Sequence, residues 1–175
     1  VAALRRCVEL DPSHSEGWFE LGYAYYGKNG MKPCEASYEP WTRCIALDPK
    51  NAVAHTNLGN VLINVRKDFS GAERQYRKAL ELGPTATRYN NLGIVLRQVR
   101  KDYDAAERMF RKSIELNPRF TNPRWDLSII LDETKNDVAG AVELMEEVVR
   151  LGGIPALGDG KQRLAHLRRK LEGST

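Results

Sequence analysis

Residues 58–84, LGNVLINVRKDFSGAERQYRKALELGP, recur almost intact as residues 92–118, LGIVLRQVRKDYDAAERMFRKSIELNP. The two copies agree at 16 of 27 positions without a gap, at an offset of 34 residues. A fixed period of this size is typical of stacked helical repeats, in which no unit can bury its apolar face alone. The period therefore predicts a repeat architecture before any single residue is interpreted.

Each copy contains two helical patterns separated by a short turn. In the first copy, Leu58, Leu62 and Val65 recur at helical spacing, and a second apolar pattern ends at a Gly-Pro pair, where proline cannot continue a helix. Asp68, and Asp102 in the other copy, stand where the second helix needs an N-cap. The pattern predicts a helix, a turn and a helix in each unit.

A glycine lies inside the first helix of each copy, as Gly59 and Gly93. Glycine in a helix interior costs about 1 kcal/mol relative to alanine, so the missing side chain must serve another purpose. We expect the second helix to approach closely at these positions, with Ala72 and Ala106 as its small partners.

Both copies share leucine, glycine, alanine, aromatic and proline positions at fixed spacing. These are Leu58, Gly59, Ala72, Tyr76 and Pro84 in one copy and Leu92, Gly93, Ala106, Phe110 and Pro118 in the other. They resemble the tetratricopeptide repeat, whose signature is W-x2-L-G-x2-Y, then A-x3-F, then P. The resemblance implies an all-α fold, a right-handed α-solenoid of antiparallel helix pairs with a C-terminal capping helix.

In this register the whole chain, residues 1–175, is predicted to be a single repeat domain. It would comprise a half repeat at 1–14, repeats at 15–51, 52–86, 87–120 and 121–155, and a capping helix at 156–175. Leu164, Leu167 and Leu171 share one face of that last helix, as covering the final apolar surface requires. Because the chain starts in mid-repeat, we expect it to be part of a longer protein, and a targeting signal cannot be observed.

The repeat at 15–51 has the fullest match in its first helix, Trp18-x2-Leu21-Gly22-x2-Tyr25, but departs from the pattern afterwards. Its loop at residues 27–34 is longer than the others, and Pro40 falls within the predicted second helix. Proline removes one hydrogen bond and clashes with the preceding turn, which predicts a bend. The insertion is either a binding feature or a tolerated surface loop, and both interpretations stay open.

The composition excludes some classes of function. Of the 175 residues 42% are hydrophobic, and no apolar run approaches the roughly 18 residues that a bilayer span needs, so we expect no membrane insertion. The net charge is +4, and residues 159–175 alone carry +3 of it. A basic stripe along a groove, which binding to a phosphate backbone requires, is not evident, so nucleic acid is not the first-choice partner.

The three cysteines form neither a disulfide framework nor a zinc-binding spacing. Cys7 and Cys44 occupy the repeat position of Ala79 and Ser113, which predicts small buried packing residues, whereas Cys34 lies in the loop. This usage indicates an intracellular, reducing compartment such as the cytoplasm.

In the solenoid that the resemblance implies, the first helix of each pair lines a concave wall. The stripe on this wall is rich in asparagine, and an amide can pair with both the N–H and the C=O groups of an extended peptide. Aromatic and acidic residues accompany the amides. The residues that we predict to bind a peptide are Glu16, Phe19, Glu20, Tyr23, Asn57, Asn60, Asn64, Asn90, Asn91, Asn122, Trp125 and Asp126.

This arrangement is similar to the asparagine ladder in the repeat domain of O-linked N-acetylglucosamine transferases, which holds client polypeptide. Asn57 and Asn91 match the ladder position, whereas Glu20 and Asp126 depart from it and would add negative charge. The alternative is that each asparagine only bonds a neighbouring helix or water. The carboxylate-clamp repeats of chaperone adaptors differ, since they use cations here, so an acidic C-terminal tail is not the expected partner.

The sequence contains no catalytic constellation, because His14, His55 and His166 fall in different repeats, and nothing in it implies a cofactor or a metal. We therefore expect a protein-interaction module or scaffold, not an enzyme, that binds a partner protein or peptide along the concave groove. The alternatives are a substrate-targeting repeat domain of a larger enzyme such as a glycosyltransferase, a structural subunit of a large assembly and, less favoured, an RNA-binding helical repeat. The sequence leaves the oligomeric state open.

Overall fold

The structure, a computed structural model, describes residues 1–152 and 160–173. The described residues are 80% helical and contain no strand, which confirms the predicted all-α class. The α-helices in these two ranges are α1 (Ala2–Leu10), α2 (Ser15–Lys28), α3 (Tyr38–Leu47), α4 (Ala52–Val61), α5 (Phe69–Leu82), α6 (Ala86–Val95), α7 (Tyr103–Leu116), α8 (Asn122–Glu133), α9 (Val138–Arg150) and α10 (Gly160–Glu172).

The helices form two compact units. Unit 1 is Val1–Pro84 and contains α1 to α5; unit 2 is Thr85–Thr175 and contains α6 to α10. In unit 1, α2 pairs with α3 and α4 with α5, while α1 packs on α2. In unit 2, α6 pairs with α7 and α8 with α9, and α10 packs on α9. The repeat boundaries stay predictions, and those at 155 and 156 fall outside the described residues.

The interior glycines are explained by large rings, not by small partners. A Cβ on Gly59 would lie 2.6 Å from a ring carbon of Tyr76, and one on Gly93 would lie 2.6 Å from the ring of Phe110. Ala72 is fully buried but is not among the nearest contacts of Gly59. The expected alanine partners are therefore corrected: each glycine makes room for the aromatic residue of the following helix.

The predicted caps of the second helices are present. The Asp68 carboxylate accepts a hydrogen bond from the Gly71 N–H at 2.8 Å, and Asp102 accepts one from the Ala105 N–H at 3.0 Å. These bonds satisfy backbone donors that a helix start leaves unpaired. Each second helix thus begins at a position that the local sequence fixes.

The turn between paired helices is closed by a residue in the left-handed region. π-Helical turns at Leu62–Arg66 and Leu96–Arg100 are followed by Lys67 and Lys101, both with φ of 57°. The N–H of the residue after the lysine donates to the carbonyl six residues earlier. In unit 2 the Asp102 N–H donates to the Leu96 carbonyl at 3.1 Å. Helices commonly end with a residue in the left-handed region, and glycine is preferred where lysine stands here.

We expect Lys101→Gly to raise the free energy of unfolding by about 0.5–1 kcal/mol, because glycine lacks the Cβ that is crowded in the left-handed region. Urea denaturation of the two proteins measures the change. Lys101→Ala is the matched control, since alanine removes the long side chain but keeps the Cβ. An equal gain in both variants would contradict the backbone explanation.

The second helix of the first full repeat starts late. Residues Glu35–Ser37 form a 3-10 turn, and α3 begins at Tyr38, so it has 10 residues where α5 has 14. Pro33 stands at the position of the Asp68 cap and cannot supply a carboxylate. Pro40 lies in the first turn of α3, where the N–H that it lacks is not needed. The predicted bend at Pro40 was wrong, because the proline lies in the first turn of α3 and not in its interior.

The cysteines at equivalent positions differ in exposure. Cys44 is buried, as predicted, whereas Cys7 is exposed, which contradicts the prediction for α1. In α3 this side of the helix is covered by the paired α2. No described helix precedes α1 and covers its equivalent side, so Cys7 is not a core residue in this part of the structure.

Candidate functional site

The α2 face in unit 1 carries a group of aromatic residues. Phe19 and Tyr23 are half-buried, with ring centroids 5.0 Å apart in an edge-on arrangement. Both pack against the fully buried Trp41 of α3, at 5.6 and 5.2 Å. Gly22 leaves the space that the indole ring fills. The two half-exposed rings are thus held on a rigid support.

Two carboxylates share this face, because residues 16, 19, 20 and 23 lie on one side of a helix. Glu20 is exposed and forms no ion pair or hydrogen bond with any described residue. The His14 imidazole lies near Glu16, with 4.0 Å between Nε2 and the carboxylate oxygen. The surface is therefore both acidic and aromatic.

The amides of α4 and of the π-helical turn that follows it, in unit 1, are partly used inside the protein. The Tyr76 hydroxyl donates to Oδ1 of Asn60 at 2.8 Å, and Asn64 Nδ2 donates to the Asn60 carbonyl at 2.9 Å. Asn57 is only 8% exposed, and its Nδ2 has no acceptor among the described residues. Its backbone carbonyl accepts from the Tyr26 hydroxyl at 2.9 Å, which joins α4 to α2. The amides serve the packing of unit 1 as well as its surface.

The predicted amides of unit 2 differ in exposure. Asn90 is 3% exposed, and its Oδ1 has no donor among the described residues. Asn91, on the same helix, and Asn122, at the start of α8, are half-buried. The Asn91 residue also takes part in an interaction within the protein. The buried amide is therefore Asn90, next to the predicted ladder position.

Asp126 on α8 does not present a free negative charge. Arg97 Nη2 donates to its Oδ1 at 2.7 Å, and the two side chains are 17% and 10% exposed, respectively. Burial raises the pKa of Asp126, and the Arg97 guanidinium counteracts this change. The sequence analysis placed Asp126 on the inner wall but did not pair it with Arg97. Opposite charges on the first helices of successive repeats were the signal that could have done so.

Trp125 is half-buried and has a cation beside it. The Arg163 guanidinium of α10 lies 5.9 Å from its ring centroid, and Arg163 Nε donates to the Ser128 hydroxyl at 3.3 Å. No specific signal in the sequence indicates this contact, because the amphipathic pattern of α10 does not show which helix each of its arginines meets. In unit 2, Trp125 and Asp126 therefore each have an arginine of the same unit beside them.

The basic residues of α10 are held by unit 2. Lys170 Nζ lies 2.5 Å from Oδ1 of the buried Asp132, and Arg163 lies 3.5 Å from its other oxygen. Arg168 pairs with Glu146 of α9 at 2.7 Å. Together with the buried Leu164, these pairs fix α10 on α8 and α9. Most of the basic C-terminal charge thus serves internal contacts.

The described residues hold no group of three or more His, Cys, Asp or Glu side chains that is placed to bind a metal. Among the helices in residues 1–152 and 160–173, none has the length and apolar character that crossing a bilayer requires. The chemistry that the two surfaces offer is hydrogen bonding by amides, packing by half-exposed rings and attraction of cations in unit 1.

A family model described as "Tetratricopeptide repeat" matches residues 85–117. An FK506-binding protein-like protein of Mus musculus is 32% identical over 73 residues, which are 42% of this chain and 20% of that protein. The chain therefore spans about a fifth of the length of this relative.

Solved structures share the fold. The crystal structure of MamA superposes with a TM-score of 0.75 at 21% identity, covering 86% of this chain and 85% of the other. That of YrrB, a TPR protein with an unusual peptide-binding site, has a TM-score of 0.73 at 20% identity, covering 97% and 84%. The match to the family model assigns residues 85–117 to the tetratricopeptide repeat, and the solved structures show that the chain shares the fold of repeat proteins such as YrrB.

Proposed function

We propose that this chain is a protein-interaction module that binds a partner polypeptide on the first helices of its repeats. In unit 1 the surface comprises Glu16, Phe19, Glu20 and Tyr23 of α2 with the α4 amides. In unit 2 it comprises Asn91, Asn122 and Trp125. Repeat proteins of this family generally act as non-catalytic interaction modules, and neighbours such as MamA and YrrB support the same role here.

The observation that carries the proposal is the unpaired Glu20 beside the half-exposed rings of Phe19 and Tyr23. Rigid aromatic side chains are frequent anchors in interfaces, since they bury a large area at low entropic cost. Exposed carboxylates attract cations during encounter and select against acidic partners. A segment with a Lys or Arg next to a bulky apolar side chain fits this surface.

The amides contribute hydrogen bonds to the partner backbone. Asn57 Nδ2 is a buried donor without an acceptor among the described residues. Leaving such a donor unsatisfied costs about 1–3 kcal/mol, and because the atom is buried, a partner carbonyl can relieve that cost only if the side chain turns outward. The Asn64 side chain is exposed and bonds through its Nδ2, which leaves its Oδ1 to accept from a peptide N–H.

An RNA-binding role gains little from α10, because Arg163, Arg168 and Lys170 all lie close to carboxylates of unit 2. On α10, the cations available for a phosphate backbone are correspondingly few. The same binding surface is compatible with a repeat domain of a larger enzyme or with a subunit of a large assembly. These two alternatives differ in what surrounds this chain, not in the surface itself.

We expect peptides selected on this chain from a random display library to be enriched in a basic residue next to an apolar one. The double variant Glu16→Lys, Glu20→Lys should bind the selected peptides about tenfold more weakly, because attraction becomes repulsion. Isothermal titration calorimetry measures both affinities. Circular dichroism verifies that the fold is retained.

The matched control is Glu81→Lys, Glu115→Lys, which makes the same change in net charge at exposed carboxylates of the second helices. Its affinity should stay close to that of the unmodified chain. If both double variants bound equally well, the site would lie away from α2, and the proposal for unit 1 would be wrong.

A further inference from the structure

A groove of about 400 Å³ lies in unit 2 between α7 and α9, and we call it the α7–α9 groove. Its floor is α8, which contributes Arg124, Leu127 and Leu131. Its walls include the half-buried Ile114 of α7 and Leu144 of α9. None of the residues that we propose to bind a partner on the first helices lines this groove. It is therefore a separate surface.

The floor of the groove carries a buried guanidinium, that of Arg124. The residue is only 8% exposed, and its Nη1 donates to the Phe120 carbonyl at 3.1 Å. It forms no ion pair and no other hydrogen bond with a described residue. Burial lowers the pKa of Arg124, although the nearby Glu147 carboxylate counteracts this change. Because a guanidinium has five N–H donors, four of them have no acceptor among the described residues.

The equivalent side chain of α4 has its partners inside unit 1. His55 holds the repeat position of Arg124, and its ring nitrogens lie 3.0 Å from the Pro49 carbonyl oxygen and 2.7 Å from Gln75 Oε1. Leu144 stands in α9 where Gln75 stands in α5, seven residues after the N-cap aspartate, and it supplies no acceptor. The repeat that contains Arg124 therefore combines a stronger donor with the loss of an internal acceptor.

Two other charged side chains along the groove are paired within their own helices. Arg111 Nη2 donates to Glu107 Oε1 at 2.6 Å. Arg150 donates to both carboxylate oxygens of Glu147, at 3.0 and 2.5 Å. Glu147 could pair with Arg124 only by giving up bonds to Arg150.

Two further carboxylates belong to the groove, and they differ in their contacts. Asp137 caps α9, since its Oδ1 accepts from the Gly140 N–H at 2.9 Å. Glu143 is exposed and has neither a hydrogen bond nor an ion pair with a described residue. Within the described part of the chain, the groove thus has an unpaired cation at its floor and a carboxylate without a partner at its rim.

We propose that the α7–α9 groove binds a partner segment that places one glutamate or aspartate side chain, flanked by leucine-like residues, on Arg124. A buried guanidinium without a counter-charge is costly, and a carboxylate offsets that cost through two parallel charge-assisted hydrogen bonds. The apolar walls cover the flanking side chains of the segment. Glu143 at the rim disfavours a highly acidic partner and suits a lysine that follows the acidic residue.

The test titrates the full chain with fluorescein-labelled Ser-Leu-Leu-Glu-Leu-Leu-Lys-Ser and follows anisotropy. A second peptide has glutamine in place of the glutamate, which keeps the shape and removes the charge. We expect the unmodified chain to bind the glutamate peptide about tenfold more tightly than the glutamine peptide. Arg124→Gln should bind the glutamate peptide about tenfold more weakly and should no longer distinguish the two peptides.

Arg111→Gln is the matched control, because it makes the same change in charge in the same groove at an arginine that Glu107 already pairs. Its affinity for the glutamate peptide should stay within about twofold of that of the unmodified chain. Glu147→Gln should bind this peptide at least as tightly, since it removes the carboxylate that could compete for Arg124. The variant Glu16→Lys, Glu20→Lys should leave the affinity unchanged, which separates this groove from the surface on α2.

Equal affinity of the two peptides for the unmodified chain overturns the proposal, and this comparison needs no variant to fold. An equal loss of affinity in Arg111→Gln and Arg124→Gln also overturns it, because general charge attraction would then explain the binding. So does weaker binding by Glu147→Gln, or no binding at millimolar peptide. Circular dichroism of each variant verifies that the helices are retained.

Discussion

Replacing Phe110 by alanine is expected to lower the free energy of unfolding by about 3–5 kcal/mol, among the largest effects of any single change in unit 2. The ring is fully buried, and it lies directly over Gly93 of the paired helix α6. The glycine has no side chain with which to fill the cavity that alanine leaves, so the site cannot collapse easily. Urea unfolding followed by circular dichroism measures the loss.

The contact between Gly93 and the Phe110 ring can also be tested by substituting the glycine. Gly93→Ala should destabilise by about 1–3 kcal/mol although alanine favours the helix, because the new Cβ would lie 2.6 Å from the Phe110 ring. Gly27→Ala is the matched control, since nothing lies within 4 Å of a Cβ there, and it should be neutral or stabilising. If both substitutions stabilised the chain, ring-on-glycine packing would not explain the conserved spacing of the two repeats.

Local features of the fold could be predicted because they depend on neighbours in sequence. The caps at Asp68 and Asp102 each satisfy an N–H three residues later, so the spacing alone indicated them. The residue that meets Gly93 could not be predicted in the same way. It comes from another helix, and the sequence shows only that something must approach. Phe110 and Ala106 both occupy repeat positions on the following helix. In the structure it is the Phe110 ring that lies against Gly93.

Pro40 shows how a helix pattern can be correct while its start is not. The apolar spacing of α3 is present from Trp41 to Cys44, both of which are buried. The sequence rule that proline disrupts a helix does not say whether the helix bends or begins later. Here the missing aspartate cap decides, because without it the first turn has no stabilising partner and the α-helix starts at Tyr38.

The positions of the candidate surface residues could be predicted from the sequence, but the hydrogen bonds of their side chains could not. Spacing placed Glu16, Phe19, Glu20 and Tyr23 on one face of α2, and the rings of Phe19 and Tyr23 do contact each other. Whether an amide is free depends on side-chain rotamers and on other helices, which periodicity does not contain. Asn60 thus accepts from Tyr76. Its role as a ligand for a partner stays a prediction.

The ion pair of Arg97 with Asp126 should be the most sensitive polar contact of unit 2. We expect Arg97→Met to destabilise the chain by about 3 kcal/mol at pH 7, because it leaves a nearly buried carboxylate without its partner. The double variant Arg97→Met, Asp126→Leu should recover most of this loss, since apolar residues of similar size can replace a buried pair. Urea unfolding of the three proteins gives the comparison.

The pH dependence of this loss of stability distinguishes an isolated buried charge from lost packing as its cause. Burial raises the pKa of Asp126 above its ordinary 3.8, and removing Arg97 should raise it further. A carboxyl group whose pKa is higher in the folded state binds more protons there, so its contribution to stability falls as the pH rises through that range. The deficit of Arg97→Met should therefore be largest near neutral pH and shrink below about pH 4, where Asp126 is protonated in both states. A deficit that stayed constant between pH 4 and pH 7 would mean that lost packing of the arginine side chain, not the isolated charge, destabilises the variant.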